Sequence, residues 1–114
     1  MHIDGFEILS DPTRRLVVEA LRHGEKQVSD IVAQAGIHQS GVSRHLRILH
    51  EAGFVARRPD GQRRLYRLQA APFRELDAWL APYRGLWEAR LDRFGAALEK
   101  RRKARGITHK EKRT

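Results

Sequence analysis

Gln39, Ser40, Ser43, Arg44 and Arg47 lie in one stretch, Gln39 to Gly53 (QSGVSRHLRILHEAG), and their side chains are suited to reading the edges of nucleic-acid bases. An arginine can donate two parallel hydrogen bonds to O6 and N7 of guanine, and a serine can reach either a base edge or a phosphate. At about 100° per residue, Ser40, Ser43, Arg44, Arg47 and Glu51 fall on one side of a helix, and Val42, Leu46, Leu49 and Gly53 fall on the other. Gln39 stands near the N-terminal end, where free N–H groups and the helix dipole favour phosphate. Arg44 and Arg47 are either base readers or phosphate clamps. A solvated amphipathic helix would carry a comparable outer face, so the flanking elements decide between the readings.

Those elements have the right order. A short helix is predicted over Asp30 to Ala35, with Ser29 as N-cap and Gly36 as a left-handed stop, and Gly36-Ile37-His38 then leads into the Gln39 helix. This is helix-turn-helix spacing. Downstream, Phe54 to Arg58 and Arg63 to Leu68 flank Pro59-Asp60-Gly61-Gln62 and predict a hairpin. Upstream, Asp11-Pro12 predicts a helix start, Leu16, Val17, Ala20 and Leu21 form its buried stripe, and Gly24 ends it. Ile3 to Leu9 is expected to make a turn or two of helix, and Gln27-Val28 a brief strand beside the hairpin. The fold class is therefore mostly α with a small β-hairpin, a winged helix-turn-helix.

The segments Val42 to Leu49 (VSRHLRIL) and Glu51 to Val55 (EAGFV), with Asp11 to Arg14 (DPTR) and the wing Asp60 to Leu68 (DGQRRLYRL), resemble the ArsR family of bacterial repressors over roughly residues 6 to 98. The resemblance implies a homodimeric repressor that joins its protomers through terminal helices. His45 lies at the edge of the apolar stripe and is expected to be packed or bonded to backbone. Gly41 and His38 depart from the family's commoner pattern: close approach to a sugar-phosphate backbone would explain Gly41, and a tolerated, weakly stabilised helix start would explain both equally well. Of Arg63 and Arg64, one is expected to enter a narrow minor groove and the other to meet phosphate or solvent. Arg57, Arg58 and Arg67 are expected only to add to the field.

Charge is concentrated along the chain. The net +9 of the 114 residues includes eight Lys or Arg against one Glu in residues 100–114, and seven Arg against two acidic residues in residues 38–68. Both segments favour a polyanion. Residues 1–99 are expected to form one DNA-binding and dimerisation domain, and residues 100–114 a basic, disordered tail. The absence of cysteine removes disulfides and thiolate ligands. With no long apolar run and no signal-peptide pattern, a cytoplasmic protein without membrane attachment is expected.

From Pro72 onward, Phe73, Leu76, Leu80, Tyr83, Trp87, Leu91, Phe94 and Leu98 recur at steps of three and four, which predicts a long amphipathic helix interrupted at Pro82. Part of that stripe packs within the monomer. The rest, Phe73, Leu76, Leu80, Tyr83, Trp87, Leu91 and Phe94 with help from Phe6 and Leu9, is assigned to a two-fold dimer interface.

No cofactor, metal or known small-molecule ligand is expected. At the positions where soft-metal sensors of the resembled family carry a Cys pair, this chain has Gln27 and Ser29, and no His occurs between Pro72 and Lys103. The segments Asp77 to Arg84 and Leu86 to Phe94 resemble a metal-independent branch that accompanies genes for helix-grip proteins, which implies autorepression of a small operon. The alternatives are a nucleoid-type DNA binder dominated by the basic tail, a metal-responsive repressor, and a protein-interaction module using the terminal helix. Catalysis is not expected, since no Ser, His and Asp grouping stands out.

Overall fold

The computed structural model describes residues 4–88 together with Gly95, Leu98, Lys100 and Arg101. Leu91, Phe94 and most of the basic tail lie outside the described residues. Two compact units are distinguished, Met1–Ala78 and Trp79–Thr114.

In the first unit, α1 (Gly5–Ile8) and α2 (Pro12–Ala20) each begin at an aspartate that caps free N–H groups. Asp11 accepts from the N–H groups of Thr13 and Arg14 at 2.8 and 3.2 Å, with Pro12 at the first helical position as expected. These bonds, that of Arg14 foremost, hold the Asp11 carboxyl below its ordinary pKa. Arg14 Nε and Arg15 Nη1 donate to the carbonyls of Ile8 and Leu9, covering the acceptors left free at the end of α1. The stripe on α2 is narrower than expected. Val17, Ala20 and Leu21 are buried, whereas Leu16 is 44% exposed and Val18 packs on the core in its place. The helix also ends at Ala20, four residues before Gly24.

The strand β1 (Lys26–Gln27) leads directly into α3 (Val28–Ala35). α3 thus starts two residues before the expected Asp30, and its N-cap is Gln27, without a side-chain bond, rather than Ser29. Pairing of Lys26 and Gln27 with Tyr66 and Leu65 fixes the backbone here, so the helix entry is set by the sheet and not by a capping hydroxyl. Gly36 is left-handed (φ 71°), and its N–H bonds the carbonyl of Val32, as the stop signal predicted. α4 (Gln39–Glu51) follows after two further residues.

The hairpin is β2 (Val55–Asp60) and β3 (Arg63–Leu68), in a three-stranded antiparallel sheet of order β1-β3-β2. Pro59 and Asp60, expected in the turn, belong to the strand and pair with Arg64 and Arg63. Gly61-Gln62 alone form the turn, with Gly61 at φ 66°, the two-residue connection that needs glycine first. Pro59 is tolerated because β2 is an edge strand.

The core joins Val17, Ala20 and Leu21 of α2, Ile31 of α3, and Val42, Leu46 and Leu49 of α4 with Ile8, Phe54, Val55 and Tyr66. α5 (Ala70–Leu80) starts two residues earlier than expected. Its Phe73 meets Phe54 edge-on, with ring centroids 5.3 Å apart, and Leu76 also packs against the core. Gly5 lies beside Leu76, where an added Cβ would stand 3.1 Å from a leucine methyl.

In the second unit, Pro82 sits in a 3-10 turn, Ala81–Tyr83, and residues 85–88 are helical, so the helix is broken where proline predicted. Trp79 and Tyr83 stack with centroids 4.8 Å apart. Among the described residues, no helix is long and apolar enough to cross a membrane.

Candidate nucleic-acid interface

α4 is held from behind and open in front. Val42, His45, Leu46 and Leu49 are buried, while Gln39, Ser40, Ser43, Arg44 and Arg47 are all exposed along the opposite face. The structure therefore brings the five sequence-predicted helix residues together on one surface. No side-chain partner for Arg44 or Arg47 is found among the described residues, which leaves their guanidinium donors free for an external acceptor.

His38 is not a weak start. Its Nδ1 accepts from the Ser40 N–H at 3.1 Å and lies 2.9 Å from Ser40 Oγ, so imidazole performs the capping that a serine or aspartate commonly does. If the Ser40 hydroxyl donates to that nitrogen, only its acceptor lone pairs remain. These suit a base amino group better than a phosphate. Ser43 carries no such commitment. Gly41 has an internal explanation, since a Cβ there would stand 3.1 Å from Ile37 Cγ2. Ile37, the middle residue of the turn, packs against the core and closes over the first turn of α4.

His45 lies within the buried stripe rather than at its edge, and Nδ1 has no hydrogen-bond partner. Burial pushes its pKa below the ordinary imidazole value, against a smaller opposing pull from the Asp11 carboxylate. It is packed, as expected, but Nδ1 is not bonded to backbone.

The wing sorts its arginines by face. Directly opposed residues on antiparallel strands share a face, so Arg57 (opposite Tyr66) and Arg64 (opposite Pro59) lie on the side of buried Tyr66. Arg58, Arg63 and Arg67 lie on the other side, and each faces a carboxylate. Arg63 bonds Asp60 through Nε and Nη2 at 2.9 and 2.8 Å. Arg58 forks onto Glu25 at 2.9 and 3.0 Å, and Arg67 Nη1 lies 3.8 Å from the same carboxyl. The Arg58 bond holds Glu25 below its ordinary pKa. Sequence reasoning missed two of these roles: Arg57, which shares an open hollow with Arg64, Pro59 and Arg58, and Glu25, which is 33 residues from Arg58. Strand register could have placed Arg57 on the same face as Arg64; no sequence signal linked Glu25 to Arg58.

The residues assigned to dimerisation divide between the units. Leu9, Phe73 and Leu76 are half-buried against the first unit's own core, whereas Phe6 is 42% exposed. In the second unit Leu80 is half-buried, and Trp79, Tyr83, Leu86 and Trp87 are exposed. Leu86, at 73% the most exposed of the large apolar side chains among the described residues, was not among the residues assigned. No cluster of His, Asp or Glu suited to a metal ion occurs among the described residues.

Comparison with known proteins bears on this geometry. The sequence model for bacterial regulatory proteins of the arsR family matches residues 11–57. Over 63 residues the chain is 40% identical to the HTH-type transcriptional regulator Rv2034 of Mycobacterium tuberculosis, covering 55% of this chain and 59% of that protein. It is 39% identical over 61 residues to a probable mercury resistance operon repressor of Streptomyces lividans, covering 54% of this chain and 49% of that protein. These two matches thus span about half to three-fifths of the relatives' lengths. With the transcriptional repressor SdpR of Bacillus subtilis the identity is 31% over 75 residues, 66% of this chain and 83% of SdpR. A crystal structure described as a possible transcriptional regulator for arsenical resistance superposes with a TM-score of 0.63 at 38% identity, covering 83% of this chain and 96% of that one.

Proposed function

This chain belongs to the ArsR family of bacterial regulatory proteins, and from that premise we propose that it is a homodimeric repressor that reads an inverted-repeat DNA operator. The observation that carries the proposal is the outward face of α4, where Arg44 and Arg47 stand exposed beside Gln39, Ser40 and Ser43 on a helix whose other face is core. In the major groove, Arg44 and Arg47 read base edges or clamp phosphate, Ser40 accepts from a base amino group, and Gln39 and Ser43 meet base or backbone. In the wing, Arg64 with Arg57 reaches the backbone or the minor groove, while Asp60 holds Arg63 to the side.

The two-fold partner is a second copy, joined through the exposed apolar side chains of the second unit. Such a dimer would set its two reading helices about one DNA turn apart. It acts by occluding its own promoter, a mode supported by the resemblance of Asp77 to Arg84 and Leu86 to Phe94 to a metal-independent branch of the family.

Selection from a random duplex library at near-physiological salt tests this reading. An inverted repeat with half-site centres about 10 bp apart is expected, and Arg44→Ala or Arg47→Ala should cost roughly 1–3 kcal/mol of discrimination for each bidentate bond to a base that it removes. Tight, salt-sensitive binding with no recoverable motif would overturn it. That outcome would instead favour a nucleoid-type binder, a reading that the +7 of residues 100–114 supports.

A further inference from the structure

We propose that Glu25 is the positioning residue of the wing, a role that rests on the DNA-reading function above. Glu25 follows Gly24, whose φ of 147° turns the chain between α2 and β1, and it is flanked by the strand that pairs with β3. From there its carboxylate holds Arg58 of β2 by two hydrogen bonds and approaches Arg67 of β3 at 3.8 Å. One side chain on the body of the domain thus grips both wing strands.

A planar guanidinium bound at two points to a carboxylate resists rotation as well as separation, which a single contact does not. The hairpin is otherwise secured by the burial of Val55 and Tyr66 and by the pairing of β1 with Tyr66 and Leu65, while Arg57, opposite Tyr66, and Arg58, Pro59, Arg63 and Arg64 further out are all exposed. Glu25 supplies the restraint at that transition. It also offsets charge. The pleat sets Arg58, Arg63 and Arg67 on the outer face, where Glu25 holds Arg58 and Arg67 and Asp60 holds Arg63, so Arg57 and Arg64 remain as the wing cations without a carboxylate partner among the described residues. The clamp therefore withholds Arg58 and Arg67 from DNA and sets the angle at which the wing presents Arg57 and Arg64.

Two variants separate geometry from charge. Glu25→Asp keeps the charge but shortens the reach, and Glu25→Gln keeps the reach but removes the charge. Affinity for the selected operator and for random duplex DNA is measured for each, with the thermal midpoint as a control on folding. Glu25→Asp is expected to lose about fivefold in operator affinity for each wing, the upper range for one exposed ion pair, with affinity for random DNA unchanged. Glu25→Gln is expected to lose the same preference while gaining affinity for random DNA, because a repelling carboxylate has gone. An aspartate variant indistinguishable from the parent, at an unchanged midpoint, overturns the proposal. If instead the parent itself prefers no sequence, the operator-reading function fails, and Glu25 has no preference to position.

Discussion

His45 is a titratable side chain buried within α4, with Nδ1 unpaired. Burial lowers its folded pKa, so the unfolded chain takes up a proton at a higher pH than the folded one. Its contribution to stability is full above the unfolded value of about 6.5 and is lost as pH falls through the folded value. His45→Leu, similar in volume and without a polar atom to bury, is expected to be at least as stable as the parent near neutrality and more stable in acid. Thermal midpoints at pH 7.5 and pH 5 check this. An identical pH slope in the two proteins would remove His45 as its source.

Within the elements, local rules and packing pull in opposite directions at the start of α4. Glycine in a first helical turn costs about 1 kcal/mol relative to alanine, yet a Cβ at Gly41 would press on Ile37 Cγ2 at 3.1 Å. That methyl is on a β-branched side chain half-buried against the core, so it cannot swing aside freely. Gly41→Ala alone is therefore expected to gain well under 1 kcal/mol, and the same change in an Ile37→Ala background to recover roughly the full 1 kcal/mol. Urea midpoints of the four proteins give the coupling. Additive effects would show that Ile37 does not hold the glycine in place.

For the whole molecule, affinity and specificity are expected to separate. Deleting residues 100–114 removes eight basic residues and one acidic one. Operator and random-DNA affinities should fall together, and the salt dependence should weaken by up to about 0.9 for each phosphate no longer neutralised. The preferred sequence should be unchanged. Loss of the preference itself would place recognition in the tail. Assembly is tested at Leu86, whose exposure makes a folding defect from substitution unexpected. Leu86→Glu should shift the dimer-monomer equilibrium toward monomer in sedimentation equilibrium, and an unaltered equilibrium would move the interface away from that side chain.

Local periodicity and backbone chemistry were enough to set the stripe of α4 and several of the boundaries. A 3.6-residue stripe separated Val42, Leu46 and Leu49 from Ser43, Arg44 and Arg47, and Asp11-Pro12, Gly36 and Pro82 marked boundaries through caps, a positive φ and a missing N–H. Each signal acts over a turn of chain, and each proved legible. Features that depend on partners distant in sequence were settled only by the packed fold. Ser29 yielded the start of α3 to Gln27 because β1 pairs with β3, and Leu16 yielded its place in the core to Val18. The five wing arginines, alike in sequence, were sorted by pleat and by carboxylates. The carboxylate that holds two of them is Glu25, a residue that reaches the wing only because pairing of β1 with β3 brings it within hydrogen-bonding distance of Arg58, 33 residues away.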